Sequence, residues 1–305
     1  MSNLSKKIGF IGLGNMGLPM AINLVKAGYE VYGVDTIRDA EDKFSQAGGK
    51  IGVAPAILAK EVDVIMTSLP TPQIVEKVYL GGNGIIENAH ASLTMIDFST
   101  ISPQLNESVY SASKEKGIDY LGAPVSGSVS GAVNGTLTIM VGGEKSVYEK
   151  SLPVLNVLGE NIFHLGESAG TGTVIKLLNN LMIGFYTEAV AETVALGEQM
   201  GVDAETIYDV LSVSFGQSRI YERNYKGFIA PNEFNPGFST NLLLKDLKLA
   251  KQMAEEVGSP LPIGDQLIDL YTKAVEKGYG PQDMSAVYLM VKESINENNL
   301  VASKN

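Results

Sequence analysis

Short apolar runs alternate with stretches of helical periodicity through the first half of the chain, and this alternation limits the fold more than any other feature. The apolar runs, each bounded by turn residues, predict strands at Lys7–Ile11, Glu30–Val34, Val62–Leu69, Leu93–Phe98 and Asp119–Leu121. The stretches between them predict helices at Met16–Ala27, Asp39–Ala47, Gln73–Tyr79 and Pro103–Lys116. Because buried strands that alternate with helices pair in parallel, the pattern predicts an α/β fold with a parallel sheet between helical layers.

The alternation of strands and helices ends near residue 165, and the rest of the chain is predicted to be helical. A helix at Glu144–Leu158 separates two further predicted strands, Thr136–Val141 and Ile162–Leu165. Only helical patterns follow His164, at Thr171–Met200, Asp203–Ser214, Thr240–Val257, Pro262–Lys277 and Met284–Asn296. The three glycines of the stretch Leu165–Gly172 favour a domain boundary there. We therefore predict a parallel-sheet domain over 1–165 and an all-helical domain over 166–305, joined by a long helix, with a polar tail from Glu297 that frays.

Composition and charge exclude several classes of function. The 305 residues include no cysteine and only His90 and His164, which lack metal-ligand spacing, so disulfides, thiol catalysis and a metal site are not expected. The formal net charge of −11 disfavours nucleic-acid and anionic-membrane partners. No segment reaches the roughly 18 apolar residues of a membrane span, and the polar start Met1–Lys7 leads directly into a strand, which predicts a cytoplasmic protein.

The first predicted strand runs directly into a G-x-G-x-x-G sequence at the start of a helix. Gly12 permits the tight turn, Gly14 lets the backbone approach a pyrophosphate, and Gly17 allows the helix to pack closely on the strand. The free N–H groups of the helix N-terminus favour phosphates. A glycine-rich turn without a ligand is the alternative, which the strand and helix context disfavours. The predicted contacts with a dinucleotide are Gly12, Leu13, Gly14, Asn15, Met16 and Gly17.

An acid at the end of the second predicted strand bears on which dinucleotide binds. Asp35 follows Gly17 by 18 residues, a spacing that places its carboxylate to accept a hydrogen bond from the ribose 2′-hydroxyl. The same negative charge repels a 2′-phosphate, so we expect NAD. Arg38 leaves NADP open, because its guanidinium is able to pair with a 2′-phosphate.

The long helix that begins at Thr171 is apolar over most of its surface, and its polar exceptions fall on one stripe. By i, i+3 and i+4 spacing this stripe comprises Gly172, Thr173, Lys176, Asn179, Asn180, Gly184 and Thr187. A helix this apolar is expected to be mostly buried. Since burial lowers the pKa of a lysine towards neutrality, a buried Lys176 is able to donate or accept a proton. The alternatives are a solvated surface lysine and, for the asparagines, a satisfied bond between helices.

Two further loops follow predicted strands, at the edge where ligands bind in open parallel sheets. In the first, Asp97–Pro103, Thr100 is a candidate ligand contact, whereas Ser102 is expected to cap the next helix. In the second, Gly122–Gly131, backbone N–H groups and serine hydroxyls form a nest suited to a carboxylate. A plain loop is the alternative there.

Together these segments resemble the β-hydroxyacid dehydrogenase family, which includes 3-hydroxyisobutyrate dehydrogenases and tartronate semialdehyde reductases, from about residue 7 to 295. The opening signature Phe10–Leu24 is its most specific part. Further matches are Leu69-Pro70, Asp97-x-Ser99-Thr100, Ala123–Gly127, Gly135-Thr136-Leu137, Met140–Gly143, Lys176-x-x-Asn179-Asn180 and Lys245-Asp246-Leu247-x-Leu249-Ala250. The resemblance implies a Rossmann-like domain, an all-helical domain after it, and assembly as homodimers or homotetramers through the helical half.

The resemblance also implies reversible hydride transfer between NAD(P) and the carbon that bears the β-hydroxyl of a small carboxylic acid. Lys176 would relay the proton, and Asn180, one turn on, would bind the reacting oxygen or orient the lysine. The expected substrate contacts are Ser126, Gly127, Ser128 and Asn179. The further cofactor contacts implied are Leu69, Pro70, Thr100 and Lys245.

Two positions depart from the usual pattern of that family. This chain has Ser128 where the family has a second glycine, and Gly122 where it has an acid. Both lie in or beside the loop expected to hold the substrate, so they leave its identity open. Related imine reductases replace the lysine, and Lys176 therefore argues against that activity.

The sequence is also compatible with other functions. The alternative within the enzyme class is an NADPH-dependent reductase of glyoxylate or succinic semialdehyde. The alternative in another class is a non-catalytic dinucleotide-binding sensor, which has no need of a buried lysine. A solvated helix face, rather than charge for a second carboxylate, is expected to hold Arg219, Arg223 and Lys226.

Overall fold

The fold is described from a computed structural model, which covers the backbone of residues 6–302 and the side chains of residues 6–295. The chain divides into two compact units, residues 1–176 and 177–305. The strands of the first unit are β1 (Lys7–Ile11), β2 (Glu30–Val34), β3 (Val64–Thr67), β4 (Thr94–Asp97), β5 (Asp119–Gly122), β6 (Val125–Ser126), β7 (Leu137–Val141) and β8 (Gly159–His164). Its helices are α1 (Gly17–Lys26), α2 (Arg38–Gln46), α3 (Pro55–Glu61), α4 (Pro72–Leu80), α5 (Ile85–Asn88), α6 (Pro103–Lys114), α7 (Ser128–Asn134) and α8 (Lys145–Leu158).

The main sheet of the first unit is parallel throughout, with the strand order β2-β1-β3-β4-β5. Successive side chains of its strands belong to two different cores. Phe10 and Met66 lie in the core on one face, whereas Ile11 and Ile65 lie in the core on the other. The predicted parallel sheet, with both faces covered by helices, is confirmed.

A second, three-stranded sheet completes the first unit, with β6 antiparallel and β8 parallel to β7. The segment Gly122–Gly131, which the sequence predicts as a loop, contains β6 and the start of α7. That prediction is wrong because α7 is only seven residues long, and its Ser, Gly and Asn residues have low helix propensity. Burial of Gly131 and Ala132 stabilises this short helix instead.

The second unit is helical. A long helix, α9 (Thr171–Gln199), passes into it from the first unit and is followed by α10 (Ala204–Leu211), α11 (Arg219–Asn224), α12 (Thr240–Glu256), α13 (Pro262–Ala274) and α14 (Val287–Ala302). Single π-helical turns follow α11 and α13, at Tyr225–Ile229 and Val275–Tyr279. No helix within residues 6–302 is long and apolar enough to span a membrane.

The C-terminal helix extends past its predicted end. The predicted stop at Asn296 and fraying from Glu297 are wrong as far as Ala302, because the stretch Val287–Ala302 contains no glycine or proline to end it. The rest of the predicted tail, residues 303–305, lies outside the described residues, as do residues 1–5 of the polar start.

The polar stripe of α9 is its buried face. Thr173, Lys176, Asn180 and Thr187 are each at most 8% exposed. The expected burial does not extend to another face of the helix, where apolar side chains are 39–48% exposed: Ile175, Leu178, Met182 and Tyr186. The helix thus buries most of its polar stripe together with apolar residues such as Leu177 and Val194, and it exposes a separate apolar face.

Glu188 of α9 is a buried acid in the helical unit. Its side chain is 7% exposed, and its Oε2 atom has no hydrogen-bond partner among the described residues. Burial, together with the nearby charge of Glu192, raises the pKa of Glu188 to about 7. The protonated form of Glu188 is therefore favoured in the folded state.

We expect Glu188 to make the protein less stable as the pH rises. Because its pKa is higher in the folded than in the unfolded chain, the free energy of unfolding falls between pH 4.5 and about 7. The loss is roughly 3 kcal/mol at most and is complete above that range. Urea unfolding at pH 5 and pH 8 measures it, and the E188Q variant should lose this part of the pH dependence. The exposed neighbour provides the control: an equal effect of Glu192→Gln would contradict the assignment to Glu188.

Candidate active site

The carboxyl ends of β1, β3, β4 and β5 meet at one edge of the main sheet. In the order β2-β1-β3-β4-β5 the direction of strand addition reverses at β1, which creates a crevice beside the ends of β1 and β3. Most of the site residues predicted in the first unit lie in the segments that leave this edge.

The glycine loop between β1 and α1 has the shape that its sequence predicts. Gly12 has φ 95°, and a Cβ added there would lie 2.3 Å from the Ser68 carbonyl oxygen. A Cβ on Gly17 would lie 1.8 Å from the carbonyl oxygen of Gly12, so α1 packs directly on the turn. A Cβ on Gly14 would have no neighbour within 4 Å. The exposed backbone at Gly14 therefore leaves the space that a pyrophosphate requires, and the loop fits a dinucleotide.

Asp35 joins the end of β2 to this loop. Its Oδ2 atom accepts a hydrogen bond of 2.6 Å from the Leu13 N–H, and its Oδ1 atom accepts one of 2.8 Å from the Ile37 N–H. Arg38 is 68% exposed and forms ion pairs with two acids of its own helix, Glu41 and Asp42. Asp35 therefore lies beside the glycine loop, whereas the guanidinium is held by carboxylates of α2.

A buried hydrogen-bond network joins the loops that follow β3 and β4. Asp97 Oδ1 accepts hydrogen bonds from the Thr67 hydroxyl, at 2.6 Å, and from the Ser99 N–H, at 3.0 Å. Ser99 Oγ accepts from the Leu69 N–H at 2.9 Å, and the Thr67 hydroxyl also bonds the hydroxyl of Tyr79. Burial, then the charge of Asp97, raises the pKa of Tyr79 well above its usual value. The network fixes the backbone beside Pro70 and Thr100.

The segment after β5 bends sharply at the predicted carboxylate nest. Ser126 pairs with Thr138 in the second sheet, and Gly127 then turns with φ 140°. Ser128 has φ 60°, a left-handed conformation that favours glycine, and its hydroxyl lies 2.8 Å from that of Ser130. A serine in place of glycine therefore strains the start of α7.

The start of α9 packs on the ends of β5 and β7 through glycines. A Cβ added to Gly172 would lie 2.0 Å from the Met140 carbonyl oxygen and 3.0 Å from that of Gly122. A Cβ on Gly142 would lie 2.6 Å from the carbonyl oxygen of Ser168. Lys176 follows one turn after Gly172 and is only 8% exposed. The predicted burial of Lys176 is confirmed, and a solvated surface lysine is ruled out.

The site residues predicted in the helical unit are joined by two hydrogen bonds and an ion pair. Asn179 Nδ2 donates to Asn180 Oδ1 at 3.0 Å, and Asn180 Nδ2 donates to Asp246 Oδ2 at 2.6 Å. Lys245 Nζ lies 3.0 Å from Asp246 Oδ1. Asp246, which is 2% exposed, was not predicted as a site residue. The signal for it was available, because it is the one acid on the apolar, buried face of α12.

Other polar residues singled out in the sequence have structural partners. Ser102 caps α6 as predicted, by accepting a hydrogen bond from the Leu105 N–H. His90 bonds the carbonyl oxygen of Val62, and His164 bonds that of Gly143. Among the side chains of residues 6–295, no cluster of His, Cys, Asp or Glu fits a metal ion.

The prediction that Arg223 lies on a solvated face is wrong. Arg223 forms two hydrogen bonds, of 2.8 and 2.6 Å, with the fully buried carboxylate of Asp283. Burial raises the pKa of Asp283, but these bonds outweigh it and leave the pKa below its usual value. Lys226 pairs with Glu222 at the surface, as a solvated face implies.

Comparison with known proteins identifies both parts of the chain as similar to NAD-binding families. Residues 7–166 match the NAD binding domain of 6-phosphogluconate dehydrogenase, and residues 170–291 match the NAD-binding family described from NADP-dependent 3-hydroxyisobutyrate dehydrogenase. The 2-(hydroxymethyl)glutarate dehydrogenase of Eubacterium barkeri is 40% identical over 93% of this chain and 94% of its own. The NAD-dependent L-serine dehydrogenase of Pseudomonas aeruginosa is 35% identical over 92% of this chain and 96% of its own.

A solved structure extends the similarity to the whole fold. The structure of Mycobacterium tuberculosis 3-hydroxyisobutyrate dehydrogenase with L-serine superposes with a TM-score of 0.85, at 34% identity, over 94% of this chain and 99% of that one. The predicted Rossmann-like domain followed by a helical domain is thereby confirmed. The chain belongs to the β-hydroxyacid dehydrogenase family and is an NAD(P)-dependent oxidoreductase.

Proposed function

We propose that this enzyme oxidises small β-hydroxy acids with NAD, and that Lys176 moves the proton. The observation that carries the proposal is the burial of Lys176 just after the point where α9 packs on the end of β5. The glycine loop leaves β1 at the same edge of the parallel sheet. An amine buried at the edge that holds a dinucleotide suits a reaction in which a hydride and a proton leave the same alcohol.

The dinucleotide is proposed to bind along this edge. The open backbone at Gly14 supports a pyrophosphate there, beside Leu13, Asn15 and Met16. Asp35 is proposed to accept a hydrogen bond from the ribose 2′-hydroxyl. The ion pairs of Arg38 with acids of its own helix support NAD over NADP, because they occupy the guanidinium that would otherwise bind a 2′-phosphate. The further cofactor contacts proposed are Leu69, Pro70, Thr100 and Lys245.

The residues of this chain supply binding and proton transfer. A bound nicotinamide supplies the acceptor for the hydride that leaves the hydroxyl-bearing carbon. As that C–H bond breaks, Lys176 Nζ takes the hydroxyl proton, and in the reverse direction it protonates the carbonyl oxygen. Asn180, oriented by Asp246, is proposed to donate its second amide proton to the same oxygen. Ser126 and the N–H of Gly127 are proposed to bind the carboxylate.

The names of the relatives point to one substrate core. 2-(Hydroxymethyl)glutarate, L-serine and 3-hydroxyisobutyrate all contain a CH₂OH group on the carbon next to a carboxylate, and they differ only in the third substituent of that carbon. We propose a substrate with this 3-hydroxypropanoate core. Ser128 and Asn179 are proposed to contact the variable substituent.

A panel of these three acids with NAD or NADP, followed by the absorbance of the reduced cofactor, tests the function. Turnover of at least one acid is expected, with NAD preferred. Activity confined to NADPH with glyoxylate or succinic semialdehyde would replace the proposal with a reductase. Binding of a dinucleotide without turnover of any acid or aldehyde would favour a sensor.

A homodimer or homotetramer is proposed, because the exposed apolar residues of α9 form a stripe of the kind that a second subunit covers. A monomer in analytical ultracentrifugation would contradict it. We also propose that the enzyme is cytoplasmic.

Two glycine substitutions separate folding from dinucleotide binding. Gly14→Ala has room for its methyl group, so we expect a folded protein with much weaker dinucleotide affinity. Gly17→Ala places its methyl group 1.8 Å from a carbonyl oxygen, so we expect loss of stability as well. Thermal melting and titration of NADH fluorescence measure the two effects. Unchanged NADH affinity in the Gly14→Ala protein would place the pyrophosphate elsewhere.

Lys176→Ala should lose most turnover while the dinucleotide still binds. Loss of a proton-transfer group typically costs about a hundredfold to ten-thousandfold in rate. Lys248→Ala, which removes an exposed lysine of α12, is the control and should retain normal turnover. Steady-state rates and NADH affinity of both variants decide the matter, and near-normal rates for Lys176→Ala would rule out the proposed role.

Replacing Ser128 separates backbone strain from substrate contact. Ser128→Gly should be more stable than Ser128→Ala by about 1 kcal/mol, because only glycine relieves the left-handed strain. Both variants lose the hydroxyl, so both should show the same change in preference among the three acids. Selectivity identical to that of the wild type in both would exclude Ser128 as a contact of the variable substituent.

A further inference from the structure

Asn106 connects three elements of the first unit through its side chain. It lies on α6 and is 1% exposed. Its Oδ1 atom accepts a hydrogen bond of 2.7 Å from the hydroxyl of Tyr120 on β5. Its Nδ2 atom donates one of 2.7 Å to the hydroxyl of Thr173 in the first turn of α9. One amide group therefore joins α6, β5 and α9.

The Tyr120 hydroxyl is the partner of the amide oxygen of Asn106. Tyr120 is fully buried, and burial followed by the charge of Asp97 raises its pKa well above the usual value, so the phenol keeps its proton and donates it. Because this hydroxyl donates to Asn106 Oδ1, the amide nitrogen of Asn106 is left to donate to Thr173. The bond to α9 thus has a fixed direction and fixed partners.

Thr173 is the residue of α9 that transmits this bond to Lys176. It is fully buried and precedes Lys176 by three residues, so the two side chains lie on the same helix face, less than one turn apart. A helix is stiff over one turn, so a rotation or shift at Thr173 moves Lys176 by a similar amount.

Apolar packing alone does not fix this turn. Thr171 and Val174 line a cavity of about 310 Å³ together with Glu107 and Ser168, so one side of the turn has room to move. On the opposite side, the space beside Gly122 is filled by Asn106 itself, since a Cβ there would lie 2.6 Å from Asn106 Oδ1. The directional hydrogen bond therefore adds a restraint on this turn to the close backbone contacts of Gly172.

We propose that Asn106 is a positioning residue for Lys176 and acts through the hydroxyl of Thr173. The proposal rests on the proposed function of Lys176 for its effect on catalysis. The effect of Asn106 on the position of the Lys176 amine does not depend on that function and is measured separately.

Three variants test the proposal. Thr173→Val keeps the shape of the side chain but removes the acceptor for Asn106, whereas Thr173→Ser keeps the hydroxyl. Ser113→Ala is the matched control, because it removes a fully buried hydroxyl of the same α6 helix, two turns from Asn106, that bonds the carbonyl oxygen of Val109. Thr173→Ala, which leaves room for a water to bond Asn106, replaces Thr173→Val if the latter fails to fold.

The first measurement is catalytic. Because displacement of a reacting group by about 1 Å is able to cost about a hundredfold, we expect Thr173→Val to lower kcat by at least about tenfold. NADH affinity should stay near that of the wild type, and Thr173→Ser should recover most of the rate. Ser113→Ala should lower the melting temperature but not kcat. An equal loss of kcat in Thr173→Val and Ser113→Ala, or none in Thr173→Val, would overturn the proposal.

The second measurement does not depend on turnover. Reductive dimethylation followed by peptide mass spectrometry gives the labelling rate of Lys176 as a function of pH. The rate should rise in Thr173→Val, where the amine leaves its buried place, and return to the wild-type value in Thr173→Ser. An unchanged labelling rate in Thr173→Val would overturn the proposal even if kcat falls. If the wild type oxidises no β-hydroxy acid, the proposed function fails, and this measurement alone decides whether Asn106 positions Lys176.

Discussion

The contact between the start of α9 and the ends of β5 and β7 is the constraint on which the arrangement of the site depends. It joins backbone to backbone, because neither Gly172 nor Gly142 has room for a Cβ atom. The helix therefore begins at a fixed depth above the sheet edge, and Lys176 comes one turn later in a buried place. A larger residue at either glycine would lift the helix and move the lysine with it.

Hydrogen bonds add further restraints on the segments that form the site. Glycine contacts set how closely the turn approaches the sheet edge. The bond between Asn106 and Thr173 adds a directional restraint on this turn, and the network around Asp97 restrains the loops after β3 and β4. Buried polar groups of this kind are costly when unpaired, so each bond is kept in one geometry. This fits a site that must hold two reactants in register.

Much of the fold and part of the site could be predicted from the sequence, because those features are local. The turn at Gly12 and the position of Asp35 follow from short spacing along one strand and helix. The buried stripe that includes Lys176 follows from helical periodicity. The short helix α7 was missed because its stability comes from tertiary burial rather than from its own residues.

The remaining site features could not be predicted, because they join residues far apart in the chain. Asn106 and Thr173 are separated by 67 positions, Asn180 and Asp246 by 66, and no local pattern pairs them. The exposed apolar residues of α9 escaped prediction for a related reason, since periodicity identifies a stripe but not which neighbour covers it.

A crystal structure with NADH and an unreactive analogue of the 3-hydroxypropanoate core tests the central claim most directly. We expect Lys176 Nζ to lie within about 2.6–3.2 Å of the oxygen that stands for the reacting hydroxyl, and the carboxylate to lie at Ser126 and Gly127. An analogue bound in the same crystal with its reacting oxygen out of reach of Lys176, or with its carboxylate away from this loop, would contradict it.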